Sequence, residues 1–89
     1  MVSEIRLPDL GEEAEEAAIV ARNVEVGASV EVGDVLCEIE AGKAVQPVTS
    51  PGRGCLRAMF QDEGRLMTAG TLLAVVADPS DDISAYEVR

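Results

Sequence analysis

Histidine and tryptophan are absent from this sequence of 89 residues, lysine occurs once, and there is a single phenylalanine and a single tyrosine. Without histidine there is no Ser-His or Cys-His couple and no imidazole base for proton transfer near neutral pH. The lack of both histidine and any Cys-x-x-Cys spacing argues against a metal site. The shortage of aromatics leaves Val, Leu, Ile, Met and Ala to build the core, a composition suited to thin, β-rich packing.

Basic residues are also few. Seven Lys and Arg against 17 Asp and Glu give a net charge of −10, which excludes nucleic acid, because phosphate binding needs clustered cations. The same charge favours solubility and basic protein partners. No apolar run approaches the ~20 residues of a membrane span, and the N-terminus has no basic-then-apolar leader pattern. The expectation is a cytoplasmic domain, monomeric in isolation, with no membrane contact. Cys37 and Cys55 read as small hydrophobes in that setting and not as a disulfide.

What is present is an internal repeat. Shifting the sequence on itself by 37 positions pairs Gly27 with Gly64, Gly33 with Gly70, Leu36 with Leu73 and Ile39 with Val76. Each half runs strand, turn glycine, short strand, turn glycine, longer strand. Strands are predicted at Ser3–Leu7, Ala18–Asn23, Ser29–Glu31, Val35–Glu40, Val45–Thr49, Cys55–Gln61, Leu66–Thr68 and Leu72–Val76. Local propensity would make Ala14–Ala21 a helix, but Ile19-Val20 and the repeat favour strand. The fold class is therefore all-β, a flattened barrel or sandwich with pseudo-two-fold symmetry. Residues 1–78 form one domain, since the chain is too short for a second core. Residues 79–89 read as an acidic tail or the start of a linker, with Tyr86 a terminal residue. Glu12, Glu13, Glu15 and Glu16 read as a solvated acidic loop.

The single lysine lies in Glu40-Ala41-Gly42-Lys43-Ala44, between two predicted strands. Strand alternation that breaks at Ala-Gly marks a tight hairpin turn, so Lys43 should project into water from a stiff base. The repeat carries Lys43 onto Ser80, so this turn and the chain ends are expected at opposite ends of the domain. Such a chain has one address for chemistry directed at an amine.

Pro8-Asp9-Leu10-Gly11-Glu12, Val26-Gly27, Val32-Gly33-Asp34, Glu38-Ile39-Glu40 before Lys43-Ala44, and Ser50-Pro51 followed by Gly54 keep one order and spacing from Glu4 to Asp78. As a set they resemble the lipoyl domain of 2-oxo acid dehydrogenase complexes, in particular the N-terminal lipoyl domain of the dihydrolipoamide acyltransferase component. The resemblance implies two four-stranded antiparallel sheets and a covalent lipoate on Lys43, attached by a lipoate ligase or lipoyl transferase. It implies three further partners: a thiamine-dependent 2-oxo acid decarboxylase, an acyltransferase domain and a dihydrolipoamide dehydrogenase. Glu40, Ala41, Gly42 and Ala44 are the expected recognition surface, with Ile39 and Val45 holding the hairpin to the core. Gly42 stands where the family usually has aspartate, Glu13 and Ala17 replace loop glycines, and Arg22 replaces a large apolar residue. On this reading the domain is a carrier and not an enzyme. Two alternatives stand beside it: an unmodified binding or assembly module, and a biotin carrier, whose tip resembles Met-Lys-Met where this chain has Gly42 and Ala44.

Overall fold

The computed structural model describes residues 2–11 and 14–86. Among the described residues seven strands follow one another: β1 (Val2–Arg6), β2 (Ala17–Arg22), β3 (Ser29–Val30), β4 (Val35–Ala41), β5 (Ala44–Thr49), β6 (Gly54–Met59) and β7 (Leu72–Ala77). One antiparallel sheet has the order β1-β7-β6-β3 and the other β2-β4-β5. The stretch for which helix and strand propensities competed is strand β2.

The expected eighth strand, Leu66–Thr68, is a correction. Among the described residues it contributes one bridge, Met67 to Ala17, with both backbone hydrogen bonds made, at 2.8 and 2.9 Å. Turns consume the rest of the segment: Gly64 N donates to Ile19 O, and Gly70 N donates to Leu7 O. Leu66 consequently stays 64% exposed. The second sheet thus has three strands and a single bridge in place of a fourth strand.

Pseudo-symmetry appears in the hydrogen bonds as well as the sequence. Gly27 N donates to Leu56 O at 2.8 Å, and Gly64 N donates to Ile19 O at 2.9 Å, each group moved by the same 37 positions. The ladder irregularities obey the same shift. Register slips at Val20 in β2 and at Arg57 in β6, and at Leu36 in β4 and Leu73 in β7. An extra residue in one strand turns two neighbours to the same side. Leu36 and Cys37 therefore both face inward, as do Leu73 and Ala74, and all four are buried. The core between the sheets is aliphatic: Ile5, Leu7, Ile19, Val30, Leu36, Ile39, Leu56, Leu73 and Val76. Each fully buried Leu or Ile contributes about 1.5–3 kcal/mol of transfer free energy.

The segment after Asp78, expected as a tail or linker, folds back onto the outer face of the first sheet as far as Tyr86. Ile83 is buried against Val75 and Ala77, with Val2, Phe60 and Tyr86 packed around them. A short 3-10 turn, Ser84–Tyr86, ends the described chain. Arg57 Nη1 ties the segment down, donating to the carbonyls of Asp78 at 2.6 Å and Asp81 at 3.0 Å. Strand β7 is therefore covered on both faces, which accounts for its unbroken apolar sequence Leu72-Leu73-Ala74-Val75-Val76-Ala77.

Candidate functional site

Ala41 pairs with Ala44 across the β4-β5 hairpin, leaving Gly42 and Lys43 as a two-residue loop. Gly42 has φ +61°, while no described non-glycine residue has positive φ. Positive φ at the first central residue alone is the pattern of a type II′ turn, whose twist matches the strands it joins and which selects glycine there. The structure thus gives Gly42 a definite job, one that aspartate would fill only at a cost in backbone strain.

The turn is braced from the side. Ala17 of β2 pairs with Ala41 on one side and bridges to Met67 on the other. The row Met67, Ala17, Ala41, Ala44 therefore runs without a break from the second-half loop to the lysine hairpin. Ala17, Ala41 and Met67 are buried, so the base of the turn rests on the core. Ala17, fully buried between Ala41 and Met67, has a packing role in that row.

Lys43 is exposed, and among the described residues its amine has no ion-pair partner. Beside it is a hollow of about 200 Å³ lined by Leu10, Ala14, Ala41, Ala44, Gln46 and Lys43 itself. Glu40, Gly42 and Ala44 lie on the surface as expected. Ala41 does not: at 6% exposure its methyl group faces the core, so it supports the turn instead of presenting surface. Val45 is also corrected. It lies opposite Glu40, and directly opposed residues share a face, so it points outward with Glu40 and is 55% exposed. Ile39, fully buried, holds the hairpin with Val48.

Sequence reasoning missed Leu10, Ala14 and Gln46 as neighbours of the lysine. The signal for Leu10 was a lone apolar residue in a polar loop, held by the Asp9 side chain accepting from Gly11 N at 2.9 Å. Arg22 lies at the other end of β2, opposite Cys37, and donates to the Gln61 carbonyl at 2.8 Å. It is not part of the lysine site. Of the acidic loop, Glu15 and Glu16 are exposed, while Glu12 and Glu13 lie outside the described residues.

A rigid all-β scaffold that offers its one lysine amine on a braced, solvent-facing turn has the form of a carrier domain. The model of the biotin/lipoyl-attachment family, described as "Biotin-requiring enzyme", matches residues 3–76, and the chain belongs to that family. Domains of this kind carry a group and do not themselves catalyse.

Among curated proteins, the dihydrolipoyllysine-residue acetyltransferase component of the pyruvate dehydrogenase complex of Staphylococcus epidermidis is 34% identical over 79 residues, covering 89% of this chain. Its counterpart in Staphylococcus aureus matches to the same extent. The chain spans 18% of the length of these relatives. Among solved structures, a single-chain, multi-domain long-chain acyl-CoA carboxylase superposes with a TM-score of 0.70 over 97% of this chain and 8% of its own. At 17% identity that match concerns the fold alone.

Proposed function

We propose that this domain carries lipoate on Lys43 and serves as the mobile substrate arm of a 2-oxo acid dehydrogenase complex. One observation carries the reading: the sole lysine of the chain occupies the second position of a two-residue turn whose base is locked to the core by Ala17, Ala41 and Met67. The relatives named as acetyltransferase components favour lipoate over biotin, and so do Gly42 and Ala44 in place of flanking methionines.

The site fits the group. The amine is solvent-facing and unpaired among the described residues, and the small residues beside it leave a modifying enzyme room to approach. Bound through an amide to Lys43, lipoate would supply a dithiolane that takes up an acyl group and passes it on. The scaffold keeps the lysine backbone fixed, so all freedom lies in the side chain and what it bears. That arrangement raises the local concentration of the carried group at every active site the tether reaches. Conversion of the ammonium to an amide takes the nominal net charge from −10 to one unit more negative. The partners on this reading are the ligase or transferase that installs lipoate, a thiamine-dependent decarboxylase, an acyltransferase domain and a dihydrolipoamide dehydrogenase.

The test is intact mass after incubation with lipoate ligase, lipoate and ATP, with Lys43→Arg alongside and a biotin ligase reaction in parallel. One lipoyl group on the parent and none on the variant is the expected result. A folded parent that stays unmodified while a known lipoyl domain is modified would overturn the proposal in favour of a binding module. Biotin gained in place of lipoate would make it a biotin carrier.

A further inference from the structure

The two sheets are related by the 37-position shift, yet their outer faces are chemically inverted. On the first sheet Val75 and Ala77 face outward and are covered by Ile83, while the bulge residue Arg57 clamps the acidic closing segment through its carbonyls. The equivalent positions on the second sheet are Glu38, Glu40 and Val20. Where one face sets apolar strand residues beside a cationic bulge, the other sets carboxylates beside an aliphatic bulge. Val2, opposite Ala77, corresponds to Val45, opposite Glu40.

The second face has no cover among the described residues. Val20 is 45% and Val45 55% exposed, with Glu40 between Ala18 and Val45 in one cross-strand row and Glu38 between Ala21 and Pro47 in the next. No Lys or Arg occupies these rows. The closing segment, which covers the equivalent face, is already committed to the first sheet.

We propose that the outer face of β2-β4-β5 is a docking surface for a cationic, aliphatic segment of a partner protein. The chemistry of the occupant follows from that of the face. Burying Glu38 and Glu40 is costly unless each is paired, so the occupant must bring Lys or Arg to those two positions. The exposed valines on either side favour an aliphatic residue between the cations. Glu40 and Val45 form the pair next to the turn pair Ala41 and Ala44, so a segment seated here holds the rest of its protein beside Lys43. That the partner is an enzyme acting on Lys43 rests on the carrier reading; that the face binds a basic segment does not.

A backbone-resolved NMR titration of the unmodified domain with the peptide acetyl-Lys-Val-Arg-Val-Lys-amide separates the two. Saturable shifts centred on Ala18, Val20, Glu38, Glu40 and Val45 are expected, with none from the Glu-Val-Glu-Val-Glu counterpart. Glu38→Arg combined with Glu40→Arg should weaken binding about tenfold or more, as reversal of two exposed charge pairs allows. Val45→Ser, which keeps the charges, should weaken it about two- to threefold. Absence of saturable shifts at millimolar peptide, shifts spread over all acidic surfaces, or indifference to the double variant would each overturn the docking surface. None of those results bears on whether Lys43 accepts lipoate, which the mass measurement decides separately.

Discussion

The Tyr86 hydroxyl donates a 2.7 Å hydrogen bond to Glu4 Oε2, joining the last described residue to the first strand. Arg6 Nε and Nη2 donate to the other oxygen of the same carboxylate, at 3.0 and 2.9 Å. The closing segment is thereby fastened to β1 at the edge of the first sheet.

This contact makes the domain's stability depend on pH in two windows. The Tyr86 hydrogen bond, followed by that of Arg6, holds Glu4 below its ordinary range, so its contribution is complete above that range and lost as pH falls through the folded value. The Glu4 carboxylate raises Tyr86, so that contribution is present below the ordinary tyrosine range and lost as pH climbs through the folded value. The difference in Tm between parent and Tyr86→Phe should be level near neutrality and shrink at both acidic and strongly alkaline pH. A difference independent of pH would show that the contact does not form in solution.

Ile83→Ala tests whether the closing segment is an integral part of the domain. Ile83 is 5% exposed and seals Val75 and Ala77, and removing a buried isoleucine's methyl groups costs about 2 kcal/mol at the low end for such a rim site. In a domain of this size that lowers Tm by about 8 °C or more. Thermal melts of the variant, with dye binding to report the uncovered face, measure it.

Gly54→Ala should be among the most damaging single changes outside the aliphatic core. Gly54 has φ +152°, and a Cβ there would sit 2.9 Å from Ala77 O and 3.0 Å from Ala77 C, both backbone atoms of the neighbouring strand. Because backbone cannot swing aside as a side chain would, β6 must separate from β7 where the closing segment begins. The expected cost is about 2–4 kcal/mol, read by denaturant unfolding. Ala17, at the equivalent position, carries its methyl group without that clash because its φ is not positive, unlike that of Gly54.

Much of this architecture was legible in the sequence because alternation and glycine spacing repeat at one interval. The sequence pattern hid the ladder bulges, since Leu36-Cys37 and Leu73-Ala74 look like lapses in alternation until the extra residue is seen. It also hid the cover on the first sheet, although the signal was there: Val75 and Ala77 are apolar where Glu38 and Glu40 are charged, which requires something to shield them. Lys43 and its turn were readable from composition and spacing. The inward side of Ala41 and the outward side of Val45 were not, because strand parity next to a turn depends on loop length. The bracing row through Ala17 and Met67 joins residues 50 positions apart in the chain, beyond the reach of any local pattern.

The two thiols should behave differently. Cys37 is 1% exposed, and burial pushes its thiol up, whereas Cys55 is only partly covered. A thiolate is the reactive form, so a disulfide reagent at mild alkaline pH should label Cys55 alone in the folded domain and both residues in denaturant. Rapid double labelling under native conditions would contradict the inward placement that the bulge at Leu36 imposes on Cys37.

Replacing Gly42 separates the shape of the turn from its chemistry. With φ +61° at the first central position of a type II′ turn, an alanine there pays about 1–3 kcal/mol of backbone strain, whereas asparagine, which the primed turns accept more readily, pays less. Gly42→Ala should therefore lower Tm more than Gly42→Asn, while Lys43→Arg leaves it within about 0.5 kcal/mol of the parent, as expected of an exposed position. Aspartate is the informative third variant. It carries the charge usual at this position in the lipoyl-domain resemblance, yet it must either accept positive φ or convert the turn to one with negative φ at both central residues. If the turn converts, Gly42→Asp should match or exceed the parent in rate of modification by lipoate ligase despite a lower Tm. If the turn is held in its present form by Ala17 and Met67, modification should slow in step with the loss of stability. Paired measurement of Tm and initial lipoylation rate across the three variants decides between a recognition element that reads charge and one that reads backbone shape.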